Sequence, residues 1–289
     1  MVRKVVFPVA GLGTRMLPVT KEIPKEMLPV IDKPLIQYAA EEALASGFEE
    51  FIFITSGGKE TIQKHFAPNS GLEELLRKRG KEALLADIRL FYEKKFIFLQ
   101  QHRAEGFGHA VLLAEDAVGN EPFAVILPDD LITADVPVLA QMAALYERYR
   151  SPLIAFMKVP EAETSRYGIA AGPMIADNLF AIRELVEKPP SSRAPSNYAV
   201  IGRYILTPDI FPLLRKTGNG AGAEIQLTDA LIELARTRQV LGYFFSGRRF
   251  DAGTPAGYVE TVIHAALARA DTRDAVRSML QDVLKDETP

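Results

Sequence analysis

Residues 5–15, Val5-Val6-Phe7-Pro8-Val9-Ala10-Gly11-Leu12-Gly13-Thr14-Arg15, decide the fold that we predict for this chain. The apolar run predicts a buried first β-strand, and the glycines predict a tight loop at its end. Glycine lets a backbone turn sharply and bring its N–H groups against phosphate oxygens. Arg15 can bind an anion through its forked guanidinium, and Lys25 adds a compact positive charge. The combination indicates a protein that binds a nucleoside triphosphate.

Two common nucleotide-binding motifs do not fit this loop. The run Gly11-Leu12-Gly13-Thr14-Arg15-Met16 lacks the third glycine of G-x-G-x-x-G, and the following Leu17-Pro18 does not open a regular helix. The phosphate-loop pattern G-x-x-x-x-G-K-[ST] is also absent from the sequence. We therefore expect a different triphosphate-binding fold.

Short apolar runs alternate with helical patterns in the first half of the chain. The apolar runs predict strands buried on both faces of a largely parallel sheet, over residues 51–55, 96–99, 123–127 and 153–157. Amphipathic patterns predict helices over 35–44 and 138–150. This alternation predicts an α/β fold with a doubly wound sheet.

The pattern changes after about Val159. Turn-rich segments then separate strand-like runs over residues 169–171, 180–186 and 198–206. These runs predict mixed or antiparallel strands in a small lobe against the first sheet, which would carry a second substrate. A helix is predicted over 226–237, and apolar residues from Val276 to Leu284 repeat at helical spacing near the end. Packing on the chain's own domain is the preferred interpretation of that stripe, over a subunit contact.

Two aspartates are candidate metal ligands. Asp129, in Leu127-Pro128-Asp129-Asp130, follows a predicted buried strand, and Asp251 lies between a predicted strand and a helix. Carboxylates at the carboxyl edge of a parallel sheet lie where such sheets bind ligands, and hard oxygen ligands suit Mg²⁺. Alone, each aspartate is better explained as a turn or helix-cap residue. Their occurrence together with the glycine loop favours a metal site.

The sequence Glu187-Lys188-Pro189 ends another predicted strand. Lys188 can neutralise a sugar phosphate, and Glu187 can accept hydrogen bonds from sugar hydroxyls. On its own, such a pair is more often a solvated ion pair than a binding site.

Composition excludes several function classes. The 289 residues include no cysteine, which rules out a thiolate nucleophile, a disulfide framework and a thiolate zinc site. A net charge of −3 argues against a broad nucleic-acid interface. No stretch predicts a membrane span or a signal peptide, so we expect a cytoplasmic protein. The four histidines are scattered, and we expect them to serve packing or surface roles.

The chain resembles the bacterial UDP-glucose pyrophosphorylases, a branch of the sugar nucleotidyltransferases. The similarity runs from about residue 3 to residue 266 and is carried by Ala10–Arg15, Lys21–Pro34, Gln101 with Gly106–Val111, Leu127–Asp130, Val186–Pro189, Ile225–Asp229 and Phe250–Thr254. It implies a Rossmann-like nucleotidyltransferase fold and the conversion of UTP and glucose 1-phosphate to UDP-glucose and pyrophosphate. It also implies one catalytic domain over residues 1–270, with a nucleotide-binding half (about 1–159) and a sugar-binding half (about 160–253), before a helical tail (271–289).

The resemblance further implies a role for each matching residue. The uracil and ribose would be held by Ala10, Gly11, Glu26, Gln101 and Gly106, and the phosphates by Gly13, Thr14 and Arg15. Lys25 would lie on the α-phosphate. The sugar phosphate would be bound by Gly168, Glu187 and Lys188, with Asn197, and Mg²⁺ by Asp129 and Asp251. Whether Asp130 is also a ligand stays open.

Two alternatives remain open from the sequence. A sibling enzyme would use dTTP or another sugar 1-phosphate, and Glu26 with Gln101 is where the choice of base would be decided. A weakly active regulatory paralogue would have lost a phosphate-binding cation or a metal ligand, yet all of these residues are present. The resemblance also implies a homodimer or homotetramer.

Overall fold

The computed structural model describes residues 1–217 and 224–286. Its β-strands are β1 (Lys4–Pro8), β2 (Pro29–Val30), β3 (Lys33–Pro34), β4 (Glu50–Thr55), β5 (Lys95–Gln100), β6 (Phe123–Ile126), β7 (Asp130–Thr133), β8 (Leu153–Lys158), β9 (Gly168–Ala171), β10 (Met174–Ala176), β11 (Leu179–Ala181), β12 (Glu184–Glu187), β13 (Tyr198–Leu206), β14 (Leu241–Phe244) and β15 (Arg248–Asp251).

The α-helices lie mainly between these strands. They are α1 (Leu35–Ala45), α2 (Glu60–Phe66), α3 (Ser70–Lys78), α4 (Leu85–Arg89), α5 (Phe107–Leu112), α6 (Glu115–Val118), α7 (Val138–Tyr149), α8 (Ile210–Lys216), α9 (Leu227–Thr237), α10 (Pro255–Ala268) and α11 (Arg273–Asp286). Within the described ranges, no helix is long and apolar enough to cross a bilayer.

A mixed central sheet of parallel and antiparallel strands organises the molecule. Its main path runs β10-β11-β14-β8-β13-β6-β1-β4-β5, and β9 with its antiparallel partner β12 branches from β13. Strands β6, β1, β4 and β5 pair in parallel. Strand β13 lies antiparallel between β6 and β8. The predicted α/β fold is confirmed, including the antiparallel strands after Val159.

The predicted burial on both faces is confirmed for β4, β6 and most of β8. Residues 96–99 of β5 are only half-buried, because this strand lies at the edge of the sheet. Side chains alternate along β1, so Val5 and Phe7 belong to one hydrophobic core while Val6 belongs to another. Helices α1, α2 and α7 supply the first core, and α5, α8 and α9 supply the second. The sheet is therefore covered by helices on both sides.

The structure differs from the sequence prediction in several details, of which the following bear on the cleft and the end of the chain. The run 180–186 is two strands, because the backbone changes partner there: Ile182 N bonds Val240 O, and Arg183 N bonds Ala171 O. Strand β15 was not predicted. The stripe on α11 does not pack fully on the chain's own core, since Met279 and Val283 are 52% and 50% exposed.

Candidate active site

A cleft of about 930 Å³ opens at the carboxyl ends of β1, β5 and β6. Open α/β sheets bind ligands at this edge. The cleft is lined by all the candidate site residues except two, namely by Ala10, Gly11, Gly13, Thr14, Arg15, Lys25, Gln101, Gly106, Asp129, Gly168, Glu187, Lys188 and Asp251. Glu26 and Asn197 are the two that do not line it.

The glycine loop is shaped around Lys25. Gly13 has φ 68°, in the left-handed region that favours glycine, and a methyl group there would lie 3.2 Å from Lys25 Cβ. The hydroxyl of Thr20 donates to the Gly13 carbonyl at 2.9 Å. Arg15 lies in the short 3₁₀ turn Thr14–Met16 that follows, and its side chain is 60% exposed. The loop thus packs closely against Lys25 and leaves Arg15 extended toward solvent.

Lys25 and Asp129 form an ion pair on the cleft wall. Lys25 Nζ donates to Asp129 Oδ2 at 2.6 Å, and Arg15 lies 3.9 Å from the same oxygen. Burial acts to lower the pKa of Lys25, but Asp129 and Glu26 offset this and raise it. Burial acts to raise the pKa of Asp129, but Lys25 holds it below its usual value. Both groups are therefore charged at neutral pH.

Glu26 lies behind the glycine loop rather than on the cleft wall. It is 1% exposed, and its Oε2 accepts a hydrogen bond from Lys59 Nζ at 2.9 Å. Its Oε1 has no hydrogen-bond partner and lies 4.0 Å from Lys25 Nζ. The Lys59 ammonium thus binds the Glu26 carboxylate on the side away from the cleft, and the contact of Glu26 with the nucleotide stays a prediction. Burial raises the pKa of Glu26 and lowers that of Lys59.

Lys59 was not predicted from the sequence. Its Nζ also donates to the carbonyls of Val9 and Gly11, at 2.5 and 2.6 Å, while Ser56 Oγ donates to Ala10 O at 3.1 Å. Three successive carbonyls of the loop are therefore held by the segment after β4. A single lysine without a surrounding motif gave no signal for this role.

The two candidate metal ligands converge beside Gly253. A methyl group on Gly253 would lie 2.8 Å from Asp129 Oδ2 and 3.3 Å from Asp251 Oδ1, so both oxygens border the same small space. Asp251 also approaches Arg166 at 3.3 Å. Among the residues described, no cluster of three or more acidic or histidine side chains could bind a metal ion alone. The donor set fits a hard cation whose other ligands come from phosphate and water.

Asp130 is committed to the protein. Its Oδ1 accepts from Arg249 Nε at 2.6 Å, and its Oδ2 accepts from the backbone N–H of Gly202 at 2.8 Å. Both carboxylate oxygens of Asp130 thus have protein donors, and whether Asp130 also contacts a metal ion stays open.

Arg203, on β13, holds the loop that carries Asp129 and Asp130. Its guanidinium is 1% exposed, pairs with Glu42 Oε2 at 2.7 Å, and donates to the carbonyls of Leu127 and Asp130 at 3.1 and 2.8 Å. The side chain thus fixes both ends of Leu127–Asp130. No sequence pattern pointed to it.

The opposite end of the cleft brings Gly168 and Glu187 together. They are cross-strand neighbours on β9 and β12, and a methyl group on Gly168 would lie 3.2 Å from Glu187 Oε2. Lys188 follows with φ 45°, a left-handed conformation that is strained for lysine and occurs often at functional sites. Thr228, near the start of α9, also lines the cleft, and its buried hydroxyl has no hydrogen-bond partner.

Asn197 does not reach this end of the cleft. Its Nδ2 donates to Val159 O at 3.2 Å, and Val159 N donates to Asn197 O at 3.1 Å. These bonds join the end of β8 to the start of β13. The Asn197 amide is therefore used to connect two strands, and its contact with the sugar phosphate stays a prediction.

Comparison with known proteins defines the class to which this fold and cleft belong. Residues 4–266 match the family described as nucleotidyl transferase, and the chain belongs to that family. A UTP–glucose-1-phosphate uridylyltransferase from Pseudomonas aeruginosa is 49% identical over 264 residues, which cover 90% of this chain and 94% of that protein. A relative with the same name from Bacillus subtilis is 42% identical, covering 99% of this chain and 98% of its own.

Solved structures give the same grouping. A UDP-glucose pyrophosphorylase complexed with UDP-glucose has a TM-score of 0.86 and 44% identity, covering 93% of this chain and 100% of its own. A UTP-bound enzyme of this kind from Acinetobacter baumannii has a TM-score of 0.90 and 38% identity, covering 97% of this chain and 99% of its own. The chain thus lies in the uridylyltransferase branch of the family, which confirms the resemblance seen in the sequence.

Proposed function

We propose that this protein makes UDP-glucose and pyrophosphate from UTP and glucose 1-phosphate. The observation that carries the proposal is the convergence of Arg15, Lys25, Asp129 and Asp251 on one cleft that also contains Glu187 and Lys188. The names of the relatives, and the UDP-glucose and UTP complexes of two of the solved structures, support the same reaction.

The reaction is a direct transfer without a covalent enzyme intermediate. A phosphate oxygen of glucose 1-phosphate attacks the α-phosphorus of UTP, and the bond from that phosphorus to the β-phosphate oxygen breaks on the opposite side. Pyrophosphate leaves with the electron pair of that bond. Because the attacking oxygen is already anionic near neutral pH, no general base is needed, and the main obstacle is repulsion between two polyanions.

The cations of the cleft reduce that repulsion through their positions. Lys25 would bind the α-phosphate, Arg15 the departing pyrophosphate and Lys188 the sugar phosphate. Fixed charges of this kind stabilise a transferring phosphoryl group without reorganisation. Lys25 is paired with Asp129 in the structure, and the remaining hydrogens of its ammonium would donate to the phosphate when the nucleotide binds.

The remaining residues would bind and orient the substrates. Ala10, Gly11, Gln101 and Gly106 line the end of the cleft where the base and ribose would lie, while Gly13 and Thr14 would donate to the phosphates. Glu26 would support the glycine loop from behind through its ion pair with Lys59. Gly168 and Glu187 would receive the sugar, with Asn197 supporting the adjoining strands.

Members of this family generally use a divalent metal ion. We propose Mg²⁺, with Asp129 and Asp251 as its protein ligands, since both are oxygen donors and face the same space. When bound, the ion would neutralise phosphate charge and polarise the phosphoryl oxygens. We further propose a cytoplasmic homo-oligomer with the domain limits predicted from the sequence.

Pyrophosphate release tests the proposal. UTP, dTTP, CTP, ATP and GTP are each supplied with glucose 1-phosphate and Mg²⁺, and the series is repeated with galactose 1-phosphate. We expect release to favour UTP with glucose 1-phosphate strongly. Preference for dTTP or for the other sugar would point to a sibling transferase, and no release despite UDP-glucose binding would point to a regulatory paralogue.

A further inference from the structure

The side-chain amide of Gln101 is held in one orientation. Gln101 is 8% exposed and lines the cleft, and its Nε2 donates to the backbone carbonyl of Gly106 at 3.2 Å. A carbonyl can only accept a hydrogen bond, so the NH₂ group, and not the oxygen, has to face Gly106. The amide oxygen then faces away from that carbonyl.

His109 binds the second hydrogen of the same amide. The distance from Gln101 Nε2 to His109 Nδ1 is 2.9 Å, and Nδ1 can accept this hydrogen only if it carries no proton. The proton of the neutral ring is then on Nε2, which lies 3.2 Å from the Glu105 carboxylate. With its proton on Nε2, His109 can therefore donate to Glu105 and accept from Gln101 at the same time.

The backbone around this network is fixed. Gly108 N donates to Ile225 O at 2.8 Å, and Ile225 N donates to Glu105 O at 2.8 Å. Gly106 has φ 99°, and a methyl group there would lie 2.8 Å from Ile225 O. Residues 105–109 are thereby pinned against residue 225, so the carbonyl and the imidazole keep their places relative to the amide.

We propose that His109 is a positioning residue that makes Gln101 present its amide oxygen, and not its NH₂ group, to the base of the nucleotide. An oxygen accepts a hydrogen bond from a ring nitrogen that carries hydrogen, as N3 of uracil does. The N3 of cytosine carries a lone pair instead, so it would meet the amide oxygen without a hydrogen between them. The inference rests on the proposed use of UTP, and it does not separate uracil from thymine, which has the same N3–H. The proposed positioning role differs from the packing or surface role that the sequence predicted for His109.

The test compares the dissociation constants of UTP and CTP by calorimetry, which requires binding but no turnover. His109→Leu removes the acceptor and keeps the branched shape, while His109→Asn offers an oxygen near the position of Nδ1. We expect His109→Leu to reduce the preference for UTP over CTP about fivefold, the effect of one hydrogen bond, and His109→Asn to retain most of it. His65→Leu is the matched control, because His65 Nε2 bonds Gln37 Oε1 at 2.9 Å outside the cleft.

An unchanged preference in folded His109→Leu protein would overturn the inference. If that variant does not fold, nitrogen-15 NMR of the wild-type histidines decides the question, with the His109→Asn spectrum assigning the signal. A proton on Nε2 supports the inference, and a proton on Nδ1 overturns it. Absence of pyrophosphate release by the wild-type protein, with base preference intact, would count against the proposed reaction alone.

Discussion

At the scale of single residues, charged side chains shape the cleft: Lys25 and Asp129 lie on its wall, and Lys59 and Arg203 hold the loops behind it. Lys25 and Asp129 were predicted because a glycine loop and the end of a buried strand mark their places, and the structure joins them at 2.6 Å. Lys59 and Arg203 were not predicted. Each acts through contacts that are distant along the chain, and a lone buried cation has no local signature.

Replacement of Lys25 by alanine tests its role on the α-phosphate. We expect turnover to fall about 10²-fold or more, because a fixed charge acting in the transition state is lost. Steady-state kinetics with UTP and glucose 1-phosphate measures the effect. Lys21→Ala is the control, since Lys21 is exposed and does not line the cleft. Unchanged turnover in Lys25→Ala would remove Lys25 from the mechanism.

Replacement of Lys59 by methionine tests the support of the glycine loop. Three hydrogen bonds disappear and Glu26 loses its partner, so we expect the KM for UTP to rise about tenfold or more. The KM for glucose 1-phosphate is expected to stay near the wild-type value, because that substrate would bind at the other end of the cleft. Lys64→Met, on the exposed side of α2, is the matched control. An equal rise in both KM values would indicate general loosening instead.

At the scale of elements, β13 holds the loop Leu127–Asp130 of the cleft in place. Its pairing with β6 and β8 places Gly202 against Asp130 and Arg203 beneath Leu127–Asp130. The sequence predicted a strand over 198–206 but not its neighbours. Hydrophobic patterns report burial, whereas pairing depends on contacts between distant segments.

Replacement of Arg203 by methionine is expected to lower the free energy of unfolding by about 3 kcal/mol, since the Glu42 carboxylate, whose side chain is 10% exposed, keeps only the Leu139 N–H and loses its cationic partner. Urea denaturation measures the change. Arg183→Met, at an exposed position between β11 and β12, controls for loss of an arginine. A change of the same small size in both variants would show that the pair with Glu42 contributes little.

Glu73 links α3 to α4 and makes stability depend on pH. Hydrogen bonds from Arg89 hold the pKa of Glu73 below its usual value, so the unfolded chain takes up this proton at a higher pH than the folded chain. The stabilisation is present above about pH 4.3 and is lost as the pH falls through the lower folded value. We expect Glu73→Gln to lower the Tm at pH 7, with the difference shrinking between about pH 5 and pH 3.

The neighbouring Glu74→Gln serves as the control for thermal unfolding of Glu73→Gln. Glu74 is 63% exposed and pairs only with Lys78 on its own helix among the described contacts, so its loss is expected to change the Tm little at any pH. A Tm difference for Glu73→Gln that is the same at pH 7 and at pH 3 would contradict the assignment to the Glu73 carboxylate.

At the scale of the whole molecule, the fold class and the position of the cleft followed from strand and helix alternation. The exposed part of the α11 stripe could not be predicted, because periodicity shows that a helix has an apolar face but not what covers it. Met279 and Val283 remain about half exposed. Contact between this face and a second copy of the chain stays a prediction.

Light scattering tests that prediction. We expect the wild-type protein to have about two or four times the mass of one chain, which is 31.9 kDa. Introducing charge with Met279→Glu and Val283→Glu is expected to shift the mass toward that of one chain, whereas Ser278→Glu, on an exposed part of the same helix, is expected not to. A wild-type mass of 31.9 kDa would contradict the oligomer.

The central position of β13 limits how such an enzyme can be divided into parts or rebuilt from them. The two halves predicted from the sequence, residues 1–159 for the nucleotide and 160–253 for the sugar, share one sheet. Strand β13, from the second range, pairs with β6 and β8 of the first. Neither half can be exchanged with that of another enzyme as an independent module. New sugar specificities would have to arise through changes in loops and side chains around a shared sheet, rather than by recombination of the two halves.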